Sequence, residues 1–308
     1  MAQILYSSFG DALVSAKLSA EYILLGADRT ILPEKHPALF YAGDVAGSGS
    51  KVIQVPIEGL LGHDPLAAGT EGSAATPTAL TDSSVSVTVA YKVKAYQPGD
   101  LVRLVDATGV LDAQTFVLDA VQCGWNFLVS LVAGLSAGYA TVVGTSGVNA
   151  TAGDFIDAIT SLNINNAPPG RLACMHPRQW GDIMTDIGTV TGGGLAYSPT
   201  VQDSILSLAR GNGYQGQLAG IDVFTSTQIP LDGGSANRMG CMIARGALAW
   251  ADGTPRIEDP SRQMLVGPKV KFAMDRTELA GTTDFVSSLY MGASEGVDLF
   301  GVTIQTDA

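Results

Sequence analysis

From residue 82 to residue 96 polar and apolar side chains alternate. Val85, Val87, Val89, Tyr91, Val93 and Ala95 share one face, while Ser84, Ser86, Thr88, Lys92 and Lys94 share the other. The spacing predicts a strand with one buried face, about 45 Å long at roughly 3.4 Å per residue and longer than most. Residues 51–57 predict its partner, with Ile53, Val55 and Ile57 on one side. Between them, residues 59–80 are rich in Gly, Ala, Thr and Pro, carry only Asp64 and Glu71 as charges, and show no period. So long a connection is uncommon inside a compact domain unless it has a function. Residues 51–96 therefore predict a two-armed hairpin that reaches onto a neighbouring copy.

The period then changes to that of a helix. Residues 116–135 are mostly apolar, and no charge occurs from 120 to 153. Asp119, Gln122, Asn126 and Ser130 recur at spacings of three and four, opposite a strip of Leu118, Val121, Trp125, Leu128, Val132 and Leu135. This predicts an amphipathic helix over residues 111–135, about 37 Å long, packed on protein and not on lipid. Upstream, residues 11–25 predict a helix with Leu13, Val14, Leu18 and Tyr22 on its apolar face, followed by an irregular connector at 28–37. Residues 97–100 predict a turn capped by Asp100. Downstream come a linker at 144–151, a helix at 154–162 and a strand at 171–175. A helix then opens at Pro177 with Trp180, Ile183, Met184 and Ile187 on one side. A shorter helix is expected at 202–209, and strands at 221–225, 239–245, 263–266, 270–274, 285–291 and 300–305. Central helices and late strands predict an α+β fold.

Composition narrows the function. With 46% hydrophobic residues the 308-residue chain can bury a large core. Only 15% of residues are charged, against about 25% in a typical domain, which suggests that other molecules cover part of the surface. The net charge of −12 disfavours a protein whose task is to grip nucleic acid. Cys123, Cys174 and Cys241 sit in apolar surroundings without paired spacing and read as buried hydrophobes of a reduced compartment. The start of the chain lacks the pattern of a secretory signal.

Candidate chemistry fails on context. Residues 211–216, Gly-Asn-Gly-Tyr-Gln-Gly, match the dinucleotide fingerprint, but a helix precedes and a strand follows, so a tight turn is expected. Residues 292–296, Gly-Ala-Ser-Glu-Gly, match the nucleophile elbow, yet no histidine follows Ser294. His36, His63 and His176 lie in separate segments and read as turn or cap residues. Asp252, Glu258 and Asp259 read as a solvated loop. No catalytic, cofactor-binding or metal-ligating residue is expected, and no cofactor.

The order of elements resembles the major capsid protein of tailed bacteriophages, the Hong Kong 97-type shell fold. Residues 80–93 running into Gln97-Pro98-Gly99-Asp100-Leu101 resemble the return arm of that family's extended E-loop and its entry to the spine helix, and residues 111–135 resemble the helix itself. Residues 172–180, Leu-Ala-Cys-Met-His-Pro-Arg-Gln-Trp, are similar to the strand-then-helix passage of the axial domain. Residues 216–226 with Ile229-Pro230 are similar to its glycine-strand-proline passage, and residues 241–251 to the strand that follows.

The resemblance implies an N-terminal arm at 1–43 and an E-loop hairpin at 44–96. It also implies a peripheral domain with spine helix at 97–150 and 256–308, and an axial domain at 151–255. It implies a structural, non-enzymatic subunit that forms pentamers and hexamers of an icosahedral head. The partners implied are the chain itself, a portal, packaged double-stranded DNA bound without sequence preference, and in some cases a decoration protein, with no membrane. Because the chain begins almost at the arm, a separate scaffolding protein is expected. The location implied is the virion, assembled in the host cytoplasm. The hairpin tip has no lysine, and Lys51 sits at its base, which weighs against the crosslinking of some relatives. The interface candidates are Ile53, Val55, Leu60, Leu61, Val85, Val87, Val89, Tyr91 and Val93. An encapsulin-like compartment enclosing enzymes is the alternative, and a hydrolase with an unrecognised site comes third.

Overall fold

The computed structural model describes residues 36–58, 82–106, 111, 113–189, 213–232, 237–277 and 280–307. The expected helices at 11–25 and 202–209, the connection at 59–80, His63, Leu60 and Leu61 lie outside these residues. The first strand, β1 (Leu39–Asp44), was not foreseen. It is followed by β2 (Val52–Glu58) and β3 (Asp82–Thr88), an antiparallel pair that sets Ile53 opposite Val87 and Val55 opposite Val85. The alternation then continues into β4 (Ala90–Tyr96), but as a separate strand. The single 45 Å strand is thus two strands broken at Val89, whose N–H donates to Lys51 O at 2.9 Å. β3 pairs with β2, while β4 pairs with a strand near the end of the chain. A period of two is blind to such an exchange of partners.

Gly99, not Asp100, caps α1 (Asp100–Val105); Asp100 stands in the first turn, where a carboxylate suits the helix dipole. The long α2 (Ala113–Leu135) follows. Its buried stripe is Phe116, Ala120, Gly124, Leu128, Val129, Val132 and Ala133, rotated from the expected one, and Leu118 is 63% exposed. The reason is close approach. A Cβ on Gly124 would lie 2.6 Å from Val270 Cγ2 and 2.8 Å from Pro268 Cγ, so the small residues Ala120 and Gly124 face inward and larger ones are turned aside.

After β5 (Val142–Val143) comes α3 (Ala152–Ile164). Thr151 and Asp154 form a reciprocal capping box at its start, two residues before the expected boundary. The buried strand β6 (Leu172–Met175) leads into α4 (Pro177–Thr189), which opens on proline as expected. Residues read as a tight turn instead supply β7 (Tyr214–Leu218), antiparallel to β8 (Ile221–Thr225). The strands β9 (Asn237–Ile243), β10 (Leu248–Gly253), β11 (Gln263–Val266), β12 (Val270–Thr277), β13 (Thr282–Glu295) and β14 (Gly301–Asp307) follow, the last two joined through a short 3-10 turn at Asp298–Phe300.

These strands form two six-stranded sheets and the β2–β3 hairpin. One sheet runs β1-β10-β13-β12-β11, with β4 also on β13; the other runs β5-β14-β9-β6-β8-β7. β13 is the beam of the first sheet, pairing with β12 through 282–288, β4 through 285–291 and β10 through 290–295. Phe285 projects from it to stack on Phe116 of α2 at 4.3 Å between ring centres. In the second sheet alternate residues enter different cores. Ala173, Met175 and Met242 join Phe155, Leu162 and Ile183 of α3 and α4, whereas Leu172, Cys174, Cys241 and Ile243 join the core under α2. Each large side chain so buried contributes about 1.5–3 kcal/mol.

Candidate assembly surface

The hairpin base folds onto its own subunit. Val87 and Val89 are 0% and 6% exposed, packed with Ala249 and Ala251 of β10 and with Phe40, Ala42, Val45, Ile53 and Val55. This corrects the expectation for Val87 and Val89: their own chain already covers them. Ile53, Val55 and Val85 are half-buried. Val55 and Val85, with Ile57, Phe40, Ala249 and Val297, line a groove of about 160 Å³. The opposite face of the hairpin is polar, with the hydroxyls of Ser84 and Ser86 both donating to Gln54 Oε1.

β4 is turned the other way from the expected one-face-buried strand. Its lysines face α2. Lys94 Nζ lies 2.9 Å from Asp119 and 3.2 Å from Cys123 Sγ, the Tyr96 hydroxyl donates to Asp119, and the Lys92 ammonium sits 5.5 Å over the Phe127 ring. Burial alone would lower the Lys94 pKa, yet hydrogen bonds to Tyr96, Asp119 and Cys123 raise it, so the ammonium stays charged. Burial pushes the Cys123 thiol up. Tyr91 and Val93 point away from the helix, each 55% exposed. Tyr91 stands opposite Tyr290, their ring centres 5.1 Å apart. With Ala95, Val286 and Ala273 in register beside them, and Ser288 and Lys271 in register with Val93, they form a mixed outer face on the first sheet on which Tyr91 and Val93 are the exposed apolar side chains. Leu101 and Leu104 of α1, and Leu118 of α2, are also exposed.

Among the described residues no catalytic constellation accompanies these surfaces. Ser294 lies within β13, and Gly213 sits in the turn before β7. Among the described residues no group of three or more His, Cys, Asp or Glu is placed to hold a metal. His36 Nδ1 accepts from Ala38 N–H and His176 Nδ1 from Arg178 N–H, the turn contacts expected, but the buried His36 also meets Asp222 Oδ2 through its Nε2 at 3.0 Å, a long-range contact that the sequence did not show. Asp252 is not in a solvated loop; it is buried on β10, where Lys269 bridges it and Asp44 at 2.7 and 3.1 Å and the Tyr41 hydroxyl donates to it. Tyr41, Asp252 and Lys269 border a cavity of about 410 Å³ that also meets His36, Trp250 and Arg245. By length and composition α2 could cross a membrane, but it lies along the first sheet.

No family model matches the sequence, and no curated protein matches it. Solved structures do. The capsid structure of cyanophage P-SCSP1u aligns with a TM-score of 0.60 at 14% identity, covering 98% of this chain and 96% of that one. The head structure of Helicobacter pylori bacteriophage KHP40 gives 0.61 at 10% identity and 99% of each chain. The capsid of an empty gene transfer agent particle gives 0.60 at 13% identity, covering 99% and 100%. The fold is that of a tailed-phage capsid protein. This α+β capsid fold takes in both sheets and the long helix, so the expected fold class is borne out. Sequence reasoning missed the Asp44–Lys269–Asp252 clamp and the outward turn of Tyr91 and Val93. No local pattern marks the first, and the alternation of β3 into β4 hid the second.

Proposed function

We propose that this chain is the repeating structural subunit of a phage-type head, a major capsid protein without catalytic activity. The observation that carries the reading is the end-to-end match with capsid subunits, over 98% or more of this chain in three structures. In this reading residues 1–43 are the arm and 44–96 the E-loop hairpin. Residues 97–150 and 256–308 are the peripheral domain with α2 as its spine, and residues 151–255 are the axial domain. The subunit contacts would use Tyr91 and Val93 on the outer face, Ile53, Val55 and Val85 around the groove, and Leu60 and Leu61 of the connection. Many such contacts, each weak, would hold a closed shell through their number. A separate scaffolding protein, a portal and packaged DNA complete the expected set of partners, and the virion is the expected location.

The test is electron microscopy and sedimentation of the purified chain, expressed alone and with a candidate scaffolding protein. Closed particles are expected in at least one condition. A chain that stays monomeric in both overturns the reading. DNA inside particles purified from infected cells supports a head, and packaged enzymes in its place would reassign the shell to a storage compartment.

A further inference from the structure

Cys174 on β6 and Cys241 on β9 stand directly opposite each other in the antiparallel register. Neither is in a disulfide, and they are 1% and 0% exposed. Both belong to the apolar cluster that also takes Leu172 and Ile243, so the two side chains leave the sheet on the same face. Opposed residues of an antiparallel pair hold their Cα atoms about 4.5 or 5.5 Å apart and their Cβ atoms about 4.5–5.5 Å apart. A disulfide needs a Cα separation of about 4.4–6.8 Å and a Cβ separation of about 3.5–4.5 Å. The pair therefore meets the backbone requirement and needs only a small approach of the two Cβ atoms. Spacing along the chain concealed this, because residues 175–240 separate the two cysteines.

We propose that Cys174 and Cys241 form a cross-strand disulfide site, closed by exchange with a small-molecule disulfide such as oxidised glutathione. One cysteine thiolate attacks a sulfur of oxidised glutathione, which forms a mixed disulfide and releases one glutathione thiolate. The second cysteine thiolate attacks the protein sulfur of that mixed disulfide and releases the second glutathione. In total two protein thiols give up two electrons and two protons, and one oxidised glutathione becomes two reduced ones.

Burial decides when this exchange takes place. It pushes the Cys241 thiol well up, and neither sulfur can be reached in the folded sheet. Exchange accordingly belongs to folding or to transient opening of the second sheet, and the refolded sheet then shields the bond from reductant. β9 and β6 are the two central strands of that sheet. The bond joins its halves and closes a loop that contains α4 and the β7–β8 hairpin, restricting the unfolded chain. Cys123 lies on α2 beside Lys94 and Asp119, in a different part of the molecule, and serves as an internal control.

The full-length chain is refolded from urea in a buffer of oxidised and reduced glutathione, alkylated under denaturing conditions, and mapped by mass spectrometry without reduction. The expected product is a linked peptide joining Cys174 to Cys241, with Cys123 alone alkylated. Its thermal midpoint is expected about 5 °C or more above that of the chain refolded in dithiothreitol, a difference that vanishes in Cys174→Ser. Three alkylated thiols in the refolded protein overturn the proposal. So does a link to Cys123, or a linked form that melts no higher than the reduced one.

Discussion

Gln179 is fully buried where α4 meets the second sheet, and every polar atom of its side chain is used. Its amide nitrogen donates to Thr306 Oγ1 at 2.8 Å and approaches the carbonyls of Ile304 and Arg238, while its oxygen accepts from His176 N–H at 3.0 Å. Replacing Gln179 with Leu strands these partners away from water. The expected loss is about 2–3 kcal/mol, read by urea unfolding. The Asp44–Lys269–Asp252 clamp makes a pH prediction. Burial alone would raise the pKa of Asp44, but hydrogen bonds from Thr254, Ala46 and Lys269 hold it well below the ordinary 3.8. A carboxyl lowered by folding stabilises the protein above its unfolded value and loses that contribution as pH falls toward its folded value. The thermal midpoint should therefore fall below about pH 4, and Asp44→Asn should fall less steeply over the same interval. Lys269→Met would leave Asp252 buried without its cation. Because Lys269 is itself more than a third exposed, the expected loss is only about 1–2 kcal/mol at neutral pH.

At the scale of elements, legibility followed how local the cause was. The helix at 154–162 and the strand at 221–225 were readable because their residues carry their own period, although the Thr151–Asp154 cap that starts the helix at Ala152 was not read. Thr151→Ala should cost about 1 kcal/mol, measured by thermal unfolding. The face of α2 was misjudged because what selects it, the approach of Val270 and Pro268 to Gly124, lies far away in sequence. The break at Val89 was hidden for a similar reason. Both halves of the alternation are real, but the partner changes from β2 to β13. Gly292 permits that exchange, since a Cβ there would come within 2.0 Å of Thr88 O. Gly292→Ala should force β13 and β3 apart. We expect a loss of more than about 2 kcal/mol, with new protease cleavage near residue 89.

For the whole molecule, the interface candidates among the described residues differ in how far their own chain covers them. Val87 and Val89 hold the hairpin base to its own body, whereas Tyr91 and Val93 each stay 55% exposed. Val87→Asp should unfold the subunit, as judged by circular dichroism. Tyr91→Asp with Val93→Asp, and separately deletion of residues 60–79, should leave a folded subunit that forms no closed particles in sedimentation and micrographs. Normal particles from both variants would remove these surfaces from the assembly scheme. The overall order of elements was legible because each arises locally. The division between inward and outward faces was not, because it depends on which strand lies next to which.

The length of β13 has a mechanical consequence. β4 is laid along it through seven consecutive register pairs, so tension on the hairpin in line with β4 loads those rungs together and not one after another. The subunit is then fastened like a lap joint, strong in shear and weak only to peeling. In single-molecule pulling, a pair of handles that shears β4 along β13 should rupture at higher force than a pair that peels it away.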